Sequence, residues 1–307
     1  MKNLFSFLFS ILSICVFSQE KTKIANLEIP FRDSNSILIH HAAYSLQYSE
    51  KHEQAYWVAY ELTKSETEKK FERTDKFIAD PKVSTGTANA DDYAKSGYDR
   101  GHLAPAGDMG WSEKSMVESF YYSNMSPQLP GFNRGIWKRL EDLVRDWAVE
   151  NESIYVVTGP ILKKELQAIG ANKVSVPEKY YKVVLDYKEP NLKAIAFVLP
   201  NESSKESLTK YVVSIDSVEK LTGIDFFPKL EDKEEVRIEK TVCISCWTWN
   251  VEVPSSNSTT KSTVKKTVQS EERLKISVQC KGTTKAGNRC KNKTLNASGK
   301  CYLHEDQ

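Results

Sequence analysis

The segment from 133 to 151, NRGIWKRLEDLVRDWAVEN, places apolar residues at 136, 137, 140, 143, 144, 147 and 148. Steps of three and four put them on one stripe of an α-helix. A one-sided helix needs an apolar surface to cover, and the neighbouring sequence supplies strands. SILIHHAAYSLQYS and EQAYWVAYELT alternate and are rich in β-branched and aromatic residues, so each reads as a strand, with the polar EKHE between them as a hairpin turn. SIYVVTGPIL reads as a buried strand closed by Gly-Pro, and YYKVVLDY with KAIAFVLPN as a strand pair joined by KEPNL. VSIDSVEKLTGIDFF carries capping signals and stops at Gly223, which predicts a short helix. The expected class is α+β, a central antiparallel sheet flanked by helices.

With 40% apolar and 27% charged residues, a buried core is within reach. The opening run MKNLFSFLFSILSICVFSQE has one lysine ahead of an uncharged apolar stretch. It reads as a secretory signal over 1–18, since it is short for a span of about 20 residues. Ile14 stands where a lipoprotein signal wants a small residue before Cys15. Cleavage near Ser18 leaves five cysteines in an oxidising compartment, secreted or periplasmic, with no membrane attachment. The main domain is expected over 19–252 and a polar Ser/Thr/Lys-rich linker over 253–277, followed by a Cys-rich module over 278–307. From Glu252 onward there are 11 Lys and Arg against 5 Asp and Glu, in a chain of net charge +2. The tail is therefore basic and the body mildly acidic, an asymmetry that points the tail toward polyanions.

Tyr98 to Met109 reads YDRGHLAPAGDM. If Tyr98 to Leu103 is extended, Arg100 and His102 share one face, with Asp99 and Gly101 on the other. Imidazole removes a proton near neutral pH, and a guanidinium forks onto phosphate oxygens. That pair suits an anionic substrate attacked by water. Downstream, SNMSPQLPGFNRGIWKRLE carries Asn124, Asn133 and, eight residues beyond Asn133, Glu141. On a regular helix eight residues turn roughly 80° past two full turns, so the two side chains sit on neighbouring flanks. Magnesium keeps most of its waters and needs few protein oxygens, so one amide and one nearby carboxylate suffice.

Together, YDRGHLAPAGDM, SNMSPQLPGFNRGIWKRLE and IYVVTGPIL resemble the sugar-non-specific DNA/RNA endonucleases, the endonuclease G-like ββα-metal enzymes. The likeness runs from about Ile37 to Leu230. It implies a hairpin-plus-helix that holds the metal, and hydrolysis of DNA and RNA leaving a 5′-phosphate with little base preference. It also implies His102 as general base and Asn133 as direct magnesium ligand, with manganese as the alternative ion. Glu141 would hold the ion's waters. Arg100 and Arg73 would stabilise the phosphate and the transition state, and Asn124 would order the site. The competing expectation is a non-catalytic nucleic-acid-binding or surface protein that keeps the fold. A hydrolase of some other phosphodiester is a third. Monomer and homodimer stay open.

The remaining histidines, His40, His41 and His52, read as structural or surface groups, and Trp137 and Trp147 as core. In the tail, Cys280, Cys290, Cys301 and His304 form a candidate tetrahedral zinc set, with disulfides as the alternative. Cys243 and Cys246 either bridge each other or stay reduced.

Overall fold

The computed structural model describes residues 23–32, 36–188, 192–249, 278–279, 281, 283, 289 and 293–294. The chain divides into two units, Met1–Val251 and Glu252–Gln307. In the first, strands β1 (Leu38–His40), β2 (Ser45–Ser49) and β3 (Gln54–Thr63) lead to a short helix α1 (Ala90–Tyr93). Then come β4 (Asp99–His102), α2 (Glu113–Ser119), β5 (Met125–Gln128), α3 (Lys138–Glu150) and β6 (Ser153–Pro160). The two-residue strands β7 (Ala168–Ile169) and β8 (Val174–Ser175) precede β9 (Lys179–Asp186) and β10 (Lys193–Pro200). The unit ends with β11 (Val212–Val213), α4 (Ile215–Thr222) and α5 (Asp232–Lys240).

Seven strands form one sheet in the order β1-β2-β3-β6-β9-β10-β11, with every pair antiparallel. Side chains alternate between two cores. Val58, Tyr60, Ile154, Val156, Val184 and Phe197 share a core with Leu140, Val144 and Trp147 of α3. Trp57, Ala59, Val157, Val183 and Ala196 share the other with Val218 of α4 and Ile238 of α5. Because both faces are covered, the central strands read as continuous apolar runs rather than as a strict alternation. The predicted α+β class and the central antiparallel sheet are what the structure shows.

The EKHE turn and the α4 helix stand where the sequence puts them. Ser214 caps α4 by accepting from Ser217 N, and Gly223 closes it at φ 67°. Trp137 and Trp147 are fully buried. Trp147 packs 4.5 Å from Trp247 and donates to the Thr248 carbonyl at 2.7 Å. Just ahead of that strap, Cys243 and Cys246 form a disulfide.

Two local expectations need correction. SILIHHAAYSLQYS is not one strand but a tight hairpin, turned at 41–44 with His41 N donating to Tyr44 O. No Gly or Pro marks the turn. It is held by His41, whose buried Nε2 meets Asp80 Oδ2 at 2.8 Å. Nor is Asn133 on a regular α-helix. Phe132–Trp137 form a wide π-helical turn broken at Gly135 (φ −107°, ψ −110°), and α3 starts only at Lys138. The eight-residue helical geometry between Asn133 and Glu141 therefore does not apply.

His40 bonds Ser45, His41 bonds Asp80 and His52 bonds Ser175, so among the described residues these three histidines are structural groups. In the second unit Val278–Gln279 pairs antiparallel with Lys293–Thr294, and Thr283 bridges Arg289. The proposed signal, the linker and the set Cys280, Cys290, Cys301 and His304 lie outside the described residues. Among the described residues, no helix is long and apolar enough to cross a membrane.

Between α4 and α5 the carboxylates of Asp216, Glu219, Asp225, Glu235 and Glu239 crowd together. Burial, then Glu219 and Glu235, push the Glu239 carboxyl up to about 8. A carboxyl whose folded value is raised stays protonated in the fold while the unfolded chain ionises. Its contribution is intact below the unfolded value, near 4.5, and is lost as pH climbs through 8. We expect Tm to fall from pH 5 to pH 8 and Glu239→Gln to flatten that slope in thermal scans. An unchanged slope in the variant would reject this assignment.

Candidate active site

Among the described residues β4 pairs only with β5, in the register Asp99↔Gln128, Arg100↔Pro127, Gly101↔Ser126 and His102↔Met125. At Gly101 the ladder is so close to Gln128 that a Cβ would overlap its side chain. The ladder carries Arg100 and His102 into a cavity of 490 Å³. Arg73, Asp75 and Phe77 reach it from the charged connection after β3, Asn133 and Arg134 from the π-turn, and Lys138, Glu141 and Arg145 from α3. Five cations and three carboxylates line this space, so it favours an anion.

His102 is 8% exposed. Its ring lies 4.9 Å from Phe120, edge to face, and 5.8 Å from Phe77. Burial lowers its pKa to about 3; Arg73 and Arg100 push the same way, and Asp75 opposes them. The imidazole is therefore neutral and keeps a lone pair over the whole physiological range. Arg100 is laid over the Phe77 ring at 4.0 Å, which fixes the guanidinium beside that imidazole. Arg73 is half-exposed and pairs with Asp75 at 2.5 Å.

Asp99 was expected on the opposite face, yet it lines the same cavity. Its carboxylate accepts from Asn133 Nδ2 at 2.9 Å and from Arg134 Nε and Nη2 at 2.8 and 2.6 Å. A carboxylate held low by these donors only accepts, so the amide NH₂ must face it. That leaves Asn133 Oδ1 as the atom offered to a cation. Asp99 and Arg134 were missed because alternation assigns a strand residue to one face. It does not register a side chain that reaches round to an adjoining turn.

Glu141 sits in the first turn of α3, half-buried in the cavity wall. Burial raises its carboxyl to about 7, opposed by Lys182 and reinforced by Asp108. Beneath it lies a buried polar cluster that the sequence did not reveal. Asp108 is 1% exposed, accepts from Tyr60 OH at 2.7 Å and pairs with Arg145 at 2.5 Å. Lys182, fully buried on β9, donates to Thr158 Oγ1 at 2.6 Å, and burial lowers its ammonium to about 8.

Among the residues predicted for catalysis and magnesium binding, Asn124 alone does not line the cavity. It is fully buried, and backbone groups satisfy its amide: Oδ1 accepts from Ala104 N, and Nδ2 donates to the carbonyls of Ala104 and Ser119. Its place is under the loop that follows His102, out of reach of a substrate. Among the remaining groups, Asn133 Oδ1 and the Glu141 carboxylate are hard oxygens in a cavity large enough for hydrated ligands. They fit a magnesium-like ion.

The family model for DNA/RNA non-specific endonuclease matches residues 21–233. The chain belongs to that family. Nuclease C1 of Cunninghamella echinulata var. echinulata is 37% identical over 62% of this chain and 82% of its own length. Nuclease EXOG, mitochondrial, of Danio rerio is 37% identical over 62% of this chain and 60% of its own length. The chain thus spans less than two thirds of the EXOG relatives it matches. A crystal structure titled as the EndoG/EndoGI complex, on the mechanism of EndoG inhibition, matches with TM-score 0.62 and 32% identity. That match covers 66% of this chain and 89% of the other, and places the fold among the ββα-metal nucleases. The expected secreted or periplasmic location is contradicted. The EXOG relatives, and endonuclease G of Homo sapiens, are named as mitochondrial. A short apolar run behind one lysine does not by itself encode a compartment.

Removing the Asp99 charge should release Asn133 and Arg134 together while leaving the backbone ladder intact. Asp99→Asn is expected to weaken binding of a magnesium-like ion by about 10- to 100-fold. An unchanged midpoint in a metal titration would show that Asp99 does not orient the amide.

Proposed function

We propose that this chain is a metal-dependent endonuclease that hydrolyses phosphodiester bonds of DNA and RNA, leaving 5′-phosphate ends with little base preference. The observation that carries the reading is the cavity of β4, the π-turn and α3. A buried, neutral imidazole lines the same cation-rich cavity as an amide whose NH₂ is held by Asp99, leaving its oxygen free. A module that only binds nucleic acid has no use for a desolvated base, because phosphate contacts are made by cations and hydrogen-bond donors.

In this reading His102 takes the proton from the attacking water. Arg100, flat on Phe77, and Arg73 hold the phosphate oxygens and offset the charge that builds in the transition state. Asn133 and Glu141 would hold a divalent ion, magnesium or manganese. Bound there, the ion supplies Lewis-acid neutralisation of the leaving oxygen. Asp99 keeps the Asn133 amide oriented, and Asn124 keeps the loop after His102 in place. Cationic side chains of this kind would contact phosphate rather than base edges, and phosphate contacts carry no sequence information directly.

The spacing of Cys280, Cys290, Cys301 and His304 supports a structural zinc site in the tail, and the lysines around it support adhesion to nucleic acid. Elemental analysis of the full-length chain should find one zinc per molecule, lost in Cys290→Ala. Zinc-free protein with paired tail cysteines would instead establish disulfides.

The activity is tested by plasmid nicking. Wild type should nick supercoiled DNA in magnesium and stop in EDTA. His102→Ala should lose about 10²–10⁴-fold in rate with DNA binding kept. Equal turnover in that variant would remove His102 from the mechanism.

A further inference from the structure

A second cavity, of 550 Å³, opens where β1 and β2 meet residues 82–85 of the connection that follows β3. Its volume falls within the range of small-ligand sites. Arg32 lies on one wall with its guanidinium 3.7 Å above the Tyr56 ring, and its buried Nε has no hydrogen-bond partner. Ser49, another lining residue, is 2% exposed, and its Oγ also lacks a partner. A desolvated hydroxyl and a desolvated guanidinium N–H left unpaired are costly unless a ligand completes them. Lys51 and Lys82 add two more cations. Among the described residues the one lining carboxylate, Glu50, is engaged by Thr85 Oγ1 at 2.7 Å. Tyr48, Ile37, Ile39 and Val83 supply an aromatic and aliphatic part of the wall, beside the hydroxyls of Ser36 and Ser84.

The cavity thus joins a cationic half, suited to a phosphate, with an apolar aromatic half, suited to a planar ring. We propose that it is a nucleotide subsite: Arg32, Lys51 and Lys82 take the phosphate, and the base lies against the tyrosine side. Choosing a nucleotide over another aromatic anion rests on the nuclease reading. The connection that carries Arg73, Asp75 and Phe77 into the catalytic cavity carries Lys82 into this one. Phe77 and Lys82 are separated by at most about 18 Å of chain. That is about five stacked nucleotides at 3.4 Å each, so a short strand can span the two. Two sources share the chemistry: a nucleotide of the bound strand, or a free mononucleotide product.

The test uses the full-length chain in EDTA, where nothing is cleaved, titrated calorimetrically with 5′-dAMP and with inorganic phosphate. Two classes of dAMP site are expected in wild type. Arg32→Ala and Lys51→Ala should each weaken one class by about tenfold, as loss of a charge-assisted contact predicts. Lys51 is exposed in the hairpin turn, so it decides the matter if Arg32→Ala does not fold. Wild-type dAMP binding in Lys51→Ala, or in a folded Arg32→Ala, would overturn the proposal. Phosphate binding at this site as tightly as dAMP would overturn it too. The sources separate in magnesium with a 12-nucleotide single strand. A KM raised about fivefold or more in Lys51→Ala, with kcat unchanged, assigns the site to the strand. An unchanged KM assigns it to free nucleotide. A chain that never nicks plasmid but loses a dAMP site in Lys51→Ala would remove the nuclease reading and leave the subsite standing.

Discussion

The site depends on one carboxylate. Asp99 is an end residue of a four-residue strand, yet it accepts from both Asn133 and Arg134 of the following π-turn. These bonds tie the β4–β5 ladder to the entrance of α3. The ladder brings His102 and Arg100, and α3 brings Glu141. Without Asp99, the amide of Asn133 could present either of its ends to the cavity. The kink at Gly135 serves the same tie, because a regular helix through 133–141 would fix the Asn133 direction by helical phase alone.

Electrostatics in the cavity follows from what lies under it. Aromatic rings and two guanidinium groups exclude a proton from His102. On the other wall, burial raises Glu141 while Lys182 works against that rise. A lysine on a central strand is expensive to bury, and here Thr158, the Trp137 face at 5.0 Å and the nearby acids offset the cost. The wall therefore contains a charge network, Asp108–Arg145 with Lys182 behind it, in which Arg145 lines the cavity and all three groups act on the Glu141 carboxyl.

Much of this was legible in the residues. Apolar spacing in α3, the capping of α4 and the β-branched runs of β6, β9 and β10 are local signals, and local signals survive folding. The grouping of Arg73, Arg100, His102, Asn133 and Glu141 in one cavity was reached through motif likeness. Long-range partners set what was not legible. The turn at 41–44 has no Gly or Pro and is made by His41 reaching Asp80, 39 residues away. Lys182 in YYKVVLDY looks solvent-facing until Thr158, on the neighbouring strand, is placed beside it. Asn124 reads as a polar site residue, but its amide is used up by backbone groups. Asp99 was set aside because strand alternation says nothing of a turn folding back onto the strand.

The claim at the centre is that a divalent ion sits on Asn133 Oδ1 with Glu141 behind its waters, in the same cavity as His102. Crystals of the full-length chain soaked in manganese and measured at the manganese absorption edge test it directly. The account predicts a single strong anomalous peak in this cavity within direct bonding distance, about 2.1–2.2 Å, of Asn133 Oδ1. A peak at the acidic cluster around Glu239 with none beside Asn133 would contradict it.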